Sequence, residues 1–576
     1  EFTALHGYSI LEQADFINDA IRYILSLYPR TRKQHEGAFG GTNLALPTSV
    51  IVIGHSMGGV VARTAFTLPN HVVGSVRAIF TLATPHNNPT ASLEYYVDRV
   101  YSSINRFWRH GFHHGTLRDV SLVSIAGGNL DSMINSDYTY FGDLAPQTNA
   151  LSVLSSGIED VWLSLDHQSI LWCGQMARKF ASLMMLIMDA RRPEQLVPLD
   201  ERMQIMRRAL YSPLDTLPGA VTASVGKTVV KSTDYRYAKI YDDDVVRADL
   251  PDHHVGTVGT KRANGGLADR ALHLIRVGDR SGDTEEKIST AGVLQVVHNI
   301  PHEFRLFGCQ PLNATSEIGH DSRTHNDFSC TSVNVPEEAN LPMRPVGGEP
   351  AMDDPRLKYV EVPVAGVLDK FEYIGVELPT GETSQTGFLR ASIVDALETQ
   401  VHRPGYLRLL MPYKISADWQ VPSTRNGQSS HAQGVRTQIR LDIPENPFFV
   451  FRATLALRRG GMTKLGERPR FGAIVRQSDG ARQFESKFWY ARETIDIAIH
   501  GRGAYKPSDS LVDDASGAKP SADDVWQGVF LDVWTDSDHY SGFDVRLRIN
   551  WYSSLNRLVK RYDMALLALS FVWACL

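Results

Sequence analysis

A short motif in the sequence is typical of nucleophilic catalysis. Residues 54–58 read Gly-His-Ser-Met-Gly, the G-x-S-x-G pattern of a nucleophile on a tight strand-to-helix turn. A β-branched run precedes the motif, and Val60-Val61-Ala62-Arg63 follows it with helical character. We expect Gly54 and Gly58 to prevent clashes of the turn with the strand and the helix. This context predicts that Ser56 is a nucleophile and that the Met57 N–H contributes to an oxyanion hole.

Two later segments supply candidate partners for the serine. On this kind of turn the orienting acid and the histidine follow the nucleophile in that order along the chain. Asp131 comes just after the predicted strand SLVSIAGG, and His167 comes directly after the predicted strand VWLSLD. The sequence therefore predicts His167 as the general base and Asp131 as the acid that holds its tautomer.

Several other residues compete for these roles. Asp137 is an alternative acid if the strand before it ends later. Asp166 is next to His167 but would point away from it in an extended strand. We interpret His55, next to the nucleophile, as a packing residue and not as the base. Further histidines follow strand ends or lie in polar segments, namely His86, His110, His113 and His114.

Composition excludes some classes of function. The chain has 59 Lys and Arg against 64 Asp and Glu, so its formal net charge of −5 gives no bulk attraction to nucleic acid. Four cysteines exclude a disulfide scaffold. Asp242-Asp243-Asp244 and His253-His254 match no ligand spacing, so we read them as a solvated loop and expect neither a metal nor a cofactor.

The elements that must position these residues alternate between helix and strand. Apolar spacing predicts a helix over 9–29 and another over 198–212. Short apolar runs between helical segments indicate a parallel sheet with helices on both faces, and with the nucleophile motif they predict an α/β hydrolase fold. The runs are Ser49–Ile53, Val76–Thr81, Val120–Ala126 and Val161–Leu165.

The rest of the chain divides by composition. Residues 213–295 are polar and rich in Gly, Asp and Arg, which predicts a linker or insertion after a catalytic domain at 1–212. Residues 296–560 contain nine short strand-like runs, which predicts a β-sandwich or jelly roll. Residues 564–576 have Ser570 as their one polar residue and follow basic residues, so we expect 561–576 to begin a transmembrane region.

The amino-acid sequence of the first domain resembles those of the GPI inositol-deacylases, in particular their fungal members. The similarity is specific over residues 3–180 and weaker beyond, although RINWYSSLNRLVKRYDM resembles the segment before the family's membrane region. The segments that carry it are TALHGYSILEQADFINDAIRYILSLYP, VIVIGHSMGGVVART, FTLATPHNNP, SIAGGNLDSMINSDYT and VWLSLDHQSILWCGQ.

The resemblance implies a concrete activity and compartment. The family is expected to remove the acyl chain, usually palmitoyl, from the inositol of a GPI anchor attached to its protein, which promotes export from the endoplasmic reticulum. The implied partners are GPI-anchored proteins, their acyl-inositol lipid and membrane lipid. The implied location is the endoplasmic reticulum membrane, with the catalytic and β-rich domains in the lumen. The family's nucleophile, histidine and acid match Ser56, His167 and Asp131.

One part of the family's pattern has no clear match. A glycine-rich loop that supplies the second oxyanion donor is expected upstream, and neither His6-Gly7 nor the glycines at 37, 40 and 41 replace it well. Residue 1 is Glu, so we expect the natural N-terminus to be missing. Either the first strands of the sheet are missing with it, or part of that sheet is not recognised in residues 1–48. In an oxidising lumen, Asn313-Ala314-Thr315 is a candidate glycosylation site and Cys309 could pair with Cys330.

Two other functions compete with this interpretation. A lipase acting on free glycerolipids would use the same three residues. A non-catalytic module would use the β-rich region to bind glycan or protein, with a hydrolase fold that has lost its activity. Exposed tryptophans would favour sugar binding, but we expect core positions for Trp419, Trp526 and Trp534.

Overall fold

A computed structural model of the 576-residue chain shows an α/β domain followed by a β-rich region. The structure describes residues 9–35, 44–90, 95–215, 224–231, 237–241, 245–250, 270–276, 292–300, 304–311, 328–342, 356–368, 370–379, 387–394, 400–418, 435–443, 449–459, 469–479, 482–490, 495–498, 529–536 and 539–575.

The α/β domain contains a parallel sheet in strand order β1-β2-β3-β4. Its strands are β1 (Val50–His55), β2 (Val76–Leu82), β3 (Ser121–Ala126) and β4 (Ala150–Leu154). Its helices are α1 (Ile10–His35), α2 (Met57–Ala65), α3 (Tyr95–His113), α4 (Ser136–Thr139), α5 (Gly174–Ile187) and α6 (Leu199–Leu210).

Alternate residues of the strands pack into two separate cores. Ile79 and Leu122 lie with α1, α2 and α3 on one face of the sheet. Phe80, Val123 and Ile125 lie with α5 and α6 on the other face. Burial on both faces explains why these strands are nearly continuous apolar runs, and the predicted α/β hydrolase architecture of this region is confirmed.

One predicted strand of this sheet is wrong. The fourth strand is β4, whereas residues 161–165 form an irregular segment. Asp160 and Trp162 have φ values of 68° and 40°, a left-handed backbone that interrupts a strand. Leu165 N–H nevertheless donates to the Gly127 carbonyl at 2.7 Å, which brings this segment beside the end of β3.

The predicted linker at 213–295 also differs from the structure, because it contributes strands to a first sandwich. One sheet has the order β5-β11-β10-β14-β8-β6 and the other β12-β13-β9-β15-β7, with one apolar core shared between them. The bounds are β5 (Ser224–Lys231), β6 (Tyr237–Tyr241), β7 (Val245–Leu250), β8 (Arg270–Arg276), β9 (Val293–His298), β10 (Arg305–Pro311), β11 (Phe328–Asn334), β12 (Ala339–Leu341), β13 (Leu357–Pro363), β14 (Tyr373–Pro379) and β15 (Gly387–Val394).

A second sandwich follows, so the predicted single β-rich domain is built as two. Its sheets have the orders β16-β18-β23-β20-β21 and β17-β24-β19-β22 around a separate core. The bounds are β16 (Gln400–His402), β17 (Tyr413–Asp418), β18 (Arg436–Leu441), β19 (Val450–Arg459), β20 (Ile474–Asp479), β21 (Arg482–Tyr490), β22 (Ile495–Ala498), β23 (Val529–Trp534) and β24 (Tyr540–Ile549).

Buried contacts join the sandwiches to each other and to the α/β domain. Tyr359 of the first sandwich packs against Trp534 of the second, and Trp534 is fully buried as predicted. Arg476 of β20 pairs with Asp215 of the α/β domain at 2.5 Å and with Asp532 at 3.2 Å. Trp419 and Trp526 lie outside the described residues.

Two helices accompany the second sandwich. Helix α7 (Tyr406–Leu409) lies in the segment YLRLLMPY, which is one of the nine runs that we predicted as strands. Helix α8 (Trp551–Cys575) follows β24 and includes the predicted start of the transmembrane region. Within the described residues, no helix has both the length and the apolar character needed to cross a bilayer, so that segment stays a prediction.

Candidate active site

Ser56 lies on a sharp turn between β1 and α2. Its backbone has φ 54° and ψ −130°, a conformation that non-glycine residues rarely adopt. The Ser56 N–H donates to the Leu82 carbonyl at 2.9 Å, and the Thr84 hydroxyl donates to the Ser56 carbonyl at 2.9 Å. The neighbouring strand end therefore holds the strained turn in place.

Glycines allow this turn to pack tightly, but not at both of the expected positions. A Cβ on Gly54 would lie 2.6 Å from the Gly59 Cα, and a Cβ on Gly59 would overlap the Thr84 side chain. A Cβ on Gly58 would meet no described atom within 4 Å. The steric need for glycine thus lies at Gly54 and Gly59, whereas the prediction placed it at Gly54 and Gly58.

The structure brings Ser56, His167 and Asp131 together in one hydrogen-bonded series. The His167 Nε2 lies 2.9 Å from the Ser56 Oγ, and the His167 Nδ1 lies 3.2 Å from the Asp131 Oδ2. His167 is 7% exposed and Asp131 8% exposed, so water has little access to the bond between them. In this order a base can take the hydroxyl proton while the carboxylate holds the other ring N–H.

The carboxylate of Asp131 is itself held by the backbone. Its Oδ1 accepts hydrogen bonds from the Met133 N–H at 3.0 Å and the Ile134 N–H at 2.8 Å. Oδ2 is left to face His167. Gly128, with φ 86°, helps the chain to turn after β3 and bring Asp131 back over the sheet edge.

The alternative acids are engaged elsewhere. The Asp137 Oδ2 accepts a hydrogen bond from the Arg557 Nη2 of α8 at 2.7 Å, and this ion pair is largely buried. Asp166 is exposed and accepts from the N–H groups of Ser169 and Gln168, which lower the pKa of its carboxyl. Neither side chain takes the position that Asp131 occupies beside the histidine.

The alternative histidines also lie away from the serine. His86 is fully buried with its Nε2 2.8 Å from the Thr81 hydroxyl, and burial together with nearby Arg63 lowers its pKa well below the usual value. His110 and His113 lie in the last turns of α3, and His114 follows directly. His86 is buried beside Arg63 of α2, whereas His110, His113 and His114 are exposed at the end of α3.

His55 is the residue whose position the sequence did not reveal. Its Nε2 lies 2.7 Å from the backbone carbonyl oxygen of His167, and the two rings are 4.7 Å apart at an angle of 42°. The prediction that His55 is a packing residue and not the base is consistent with these contacts, which are made directly to His167. The signal available in the sequence was the position of His55 at a strand end, next to the nucleophile.

Met57 is the first residue of α2, as its expected role requires. The N–H groups of a first helical turn have no partners within the helix and point toward a developing negative charge. The candidates for a second donor, at His6-Gly7 and at Gly37, Gly40 and Gly41, lie outside the described residues.

Exposed apolar side chains flank the acid and the base along the chain. Leu130 and Met133 are exposed on either side of Asp131, and Leu171 and Trp172 are exposed shortly after His167. Trp172 is 65% exposed, although a large aromatic side chain is usually well buried. The loops that carry the site therefore present an apolar surface suited to a substrate with a hydrocarbon part.

Other predicted sites have mixed outcomes. Cys309 and Cys330 are bonded and lie directly opposite each other on β10 and β11. Asn313 lies outside the described residues, as do Asp242-Asp243-Asp244 and His253-His254. Among the residues that are described, no group of three or more His, Cys, Asp or Glu could hold a metal ion.

Comparisons with known proteins identify relatives of the region that contains the site. Residues 1–187 match the family model described as the PGAP1-like alpha/beta domain. A GPI inositol-deacylase of Neurospora crassa is 27% identical over 98% of this chain and 43% of its own length. The resemblance to the GPI inositol-deacylase family is confirmed. The match includes every residue of the Ser56, Asp131 and His167 series.

Further relatives include one match along nearly the whole chain and one that is shorter but more similar. A GPI inositol-deacylase of Phaeosphaeria nodorum is 28% identical over 99% of this chain and 51% of its own. GPI inositol-deacylase B of Yarrowia lipolytica is 43% identical over 213 residues, which are 36% of this chain and 22% of its own. The chain spans about half the length of the first two relatives, 43% and 51%.

The similarity to one solved structure is too weak to indicate a shared fold. The CUB1-EGF-CUB2 domain of human MASP-1/3 covers 53% of this chain and 100% of its own, with a TM-score of 0.14 and 8% identity.

Proposed function

We propose that this chain carries the active site of a serine ester hydrolase that removes the acyl chain from the inositol of GPI anchors. The observation that carries the proposal is the series Ser56–His167–Asp131, with bonds of 2.9 and 3.2 Å, inside a region similar to the GPI inositol-deacylases. The expected acyl group is a palmitoyl chain that is ester-linked to the inositol.

Each residue has a stated role in the reaction. The Ser56 Oγ attacks the acyl carbonyl while the His167 Nε2 takes its proton. The negative oxygen of the tetrahedral intermediate lies near the Met57 N–H, at the N-terminal end of α2. Asp131 holds the Nδ1 proton of His167 and stabilises the imidazolium. His167 then protonates the inositol oxygen as it leaves. Water next attacks the acyl-serine carbonyl while His167 takes its proton, and His167 returns that proton to the Ser56 Oγ as the fatty acid is released.

We further propose that the enzyme works at the luminal face of the endoplasmic reticulum membrane. The exposed Leu130, Met133 and Trp172 support a site that receives its substrate from lipid. Helix α8 supports it too, because exposed Trp551 and Tyr552 near its start are typical of a membrane interface and its residues 564–575 are apolar apart from Ser570. On this account α8 leads to a membrane anchor, and deacylation promotes export of the GPI-anchored protein.

The lumen is also a suitable place for two covalent features. The Cys309–Cys330 bond requires an oxidising compartment to persist, and Asn313 would be glycosylated there. Digestion of the secreted or membrane form with an endoglycosidase would shift its mobility, and Asn313→Gln would abolish that shift.

The proposal is tested by acyl release from a GPI-anchored reporter in cells. The membrane form of the enzyme and its Ser56→Ala and His167→Ala variants are compared at matched expression. We expect acyl-inositol to accumulate on the reporter with both variants. Retained release by Ser56→Ala would contradict the assignment of the nucleophile, and release of fatty acid from glycerolipid alone would favour a lipase.

A further inference from the structure

His55 contacts the part of the backbone that carries the proposed base. Its Nε2 is 2.7 Å from the carbonyl oxygen of His167, although the two residues are 112 positions apart in the chain. The His55 ring also lies against the His167 ring, with centroids 4.7 Å apart. His55 is the last residue of β1 and precedes Ser56, so it belongs to the same rigid turn as the nucleophile.

The partner atom settles the state of the His55 ring. A carbonyl oxygen can only accept, so the His55 Nε2 must carry a hydrogen and donate it. Burial lowers the pKa of His55, which keeps the ring neutral at physiological pH with its proton on Nε2. The bond therefore forms without a second positive charge beside the ring that becomes an imidazolium during the reaction.

The loop that ends in His167 has little regular structure of its own. It follows the left-handed residues Asp160 and Trp162 and is tied to the β3 end through the Leu165 N–H and the Gly127 carbonyl. After His167, the carboxylate of Asp166 accepts from the next N–H groups. The bond from His55 holds the His167 backbone between these two ties, and it does so from the nucleophile's own turn.

We propose that His55 is a positioning residue that fixes the distance between Ser56 and His167 by donating its Nε2 hydrogen to the His167 carbonyl. This inference rests on the proposed function of Ser56 and His167. The second residue of the G-x-S-x-G motif thus positions the histidine that faces the nucleophile. A misplacement of about 1 Å at a reacting group can slow a reaction on the order of 100-fold, so such a bond affects the rate directly.

Three substitutions separate this bond from simple packing. In His55→Gln the amide N–H₂ reaches the place of the ring Nε2 and can still donate to the carbonyl. In His55→Asn the same group reaches only the place of Nδ1, and His55→Phe fills the space without any donor. The assay is the rate at which Ser56 in the whole chain is phosphonylated by a fluorophosphonate, which forms the Oγ–P bond, releases fluoride and requires proton transfer to His167.

We expect the maximal rate for His55→Asn and His55→Phe to fall by about 10-fold or more, the loss expected for one well-placed hydrogen bond. His55→Gln should stay within about threefold of wild type by the same reasoning. The probe concentration at half-maximal rate and the unfolding midpoint should change little in the two amide variants. Equal rates for the Gln and Asn variants, or a Phe variant as fast as wild type, would overturn the proposal.

The same experiment separates this inference from the proposed function. If wild-type Ser56 reacts and the His55 variants follow the expected order, but the enzyme releases no acyl group from acyl-inositol, the positioning role stands and the substrate assignment fails. If wild-type Ser56 does not react with the fluorophosphonate, the nucleophile assignment fails and the role of His55 fails with it.

Discussion

The hydrogen bonds around Asp131 make the effect of Asp131→Asn specific. Two backbone N–H groups, from Met133 and Ile134, already donate to Oδ1. The asparagine oxygen must stay at that position, because its N–H₂ group would otherwise face two donors. The amide N–H₂ therefore points at the His167 Nδ1, which must then accept. The proton of the neutral ring moves to Nε2, facing Ser56, where it prevents the ring from taking the hydroxyl proton.

The magnitude follows from the loss of the reactive tautomer. A histidine held in the wrong tautomer lowers kcat by about 10⁴-fold in serine hydrolases, which corresponds to about 5 kcal/mol of transition-state stabilisation. The substitution preserves the shape of the side chain and its bonds to Met133 and Ile134, so the fold and the substrate affinity should change little. We expect kcat to fall and KM to stay within about threefold.

Asp137→Asn is the matched control, because Asp137 lies six positions later and pairs with Arg557 instead of the histidine. Ester hydrolysis by both variants should be measured alongside their unfolding midpoints. Asp137→Asn should keep activity within about 10-fold, since its amide still accepts from the arginine. If the two variants lose activity equally, or if Asp137→Asn alone is inactive, the assignment of the acid is refuted.

Three further predictions concern packing and stability. Gly59→Ala places a methyl group into the Thr84 side chain, so we expect a lower unfolding midpoint and slower fluorophosphonate labelling; a variant with wild-type values would contradict the packing of the turn. Arg476→Met leaves the buried carboxylate of Asp215 without its cation, which should reduce stability in denaturant titrations by about 3–5 kcal/mol, and adding Asp215→Leu should recover part of it. Burial opposes ionisation of Glu338, yet bonds from side chains of β9 and β13 lower its pKa from 4.5 to about 2. This contribution is complete above pH 4.5 and is lost as the pH falls through about 2, so Glu338→Gln should weaken the acid dependence of the unfolding midpoint in that window.

The sequence predicts the first domain well because its chemistry depends on local signals. A motif on a strand-to-helix turn and two polar residues after apolar runs place Ser56, Asp131 and His167 at one sheet edge. The fourth strand was misplaced because residues 161–165 have the apolar content of a strand, whereas Asp160 before them and Trp162 among them have a left-handed backbone. His167 was still found, since the irregular segment returns to the same edge through Leu165.

The β-rich region was harder to predict because its strands pair over long distances in the chain. Strand β5 pairs with β11, and strand β7 pairs with β15. Polar residues that lie between strands along the chain dominate the composition of residues 213–295. The average composition of that segment therefore indicates a linker. The division into two sandwiches depends on which strands share a core, and periodicity along one strand carries no information about that.

The contact between His55 and His167 could not be predicted for a related reason. The residue type and its place next to the nucleophile were evident, but a bond to a backbone carbonyl 112 residues later depends on the path of an irregular loop. Backbone acceptors carry no sequence signature, because every residue has one.

The central claim is that Ser56 accepts the acyl chain from the inositol of a GPI anchor. The most direct test is rapid quenching of the enzyme with a GPI-anchored substrate that carries an isotope-labelled inositol-linked acyl chain, followed by mass spectrometry of its peptides. The account predicts a transient labelled acyl group on the peptide that contains Ser56, absent in Ser56→Ala. Release of the labelled fatty acid by the Ser56→Ala variant, or a label on a different residue, would contradict it.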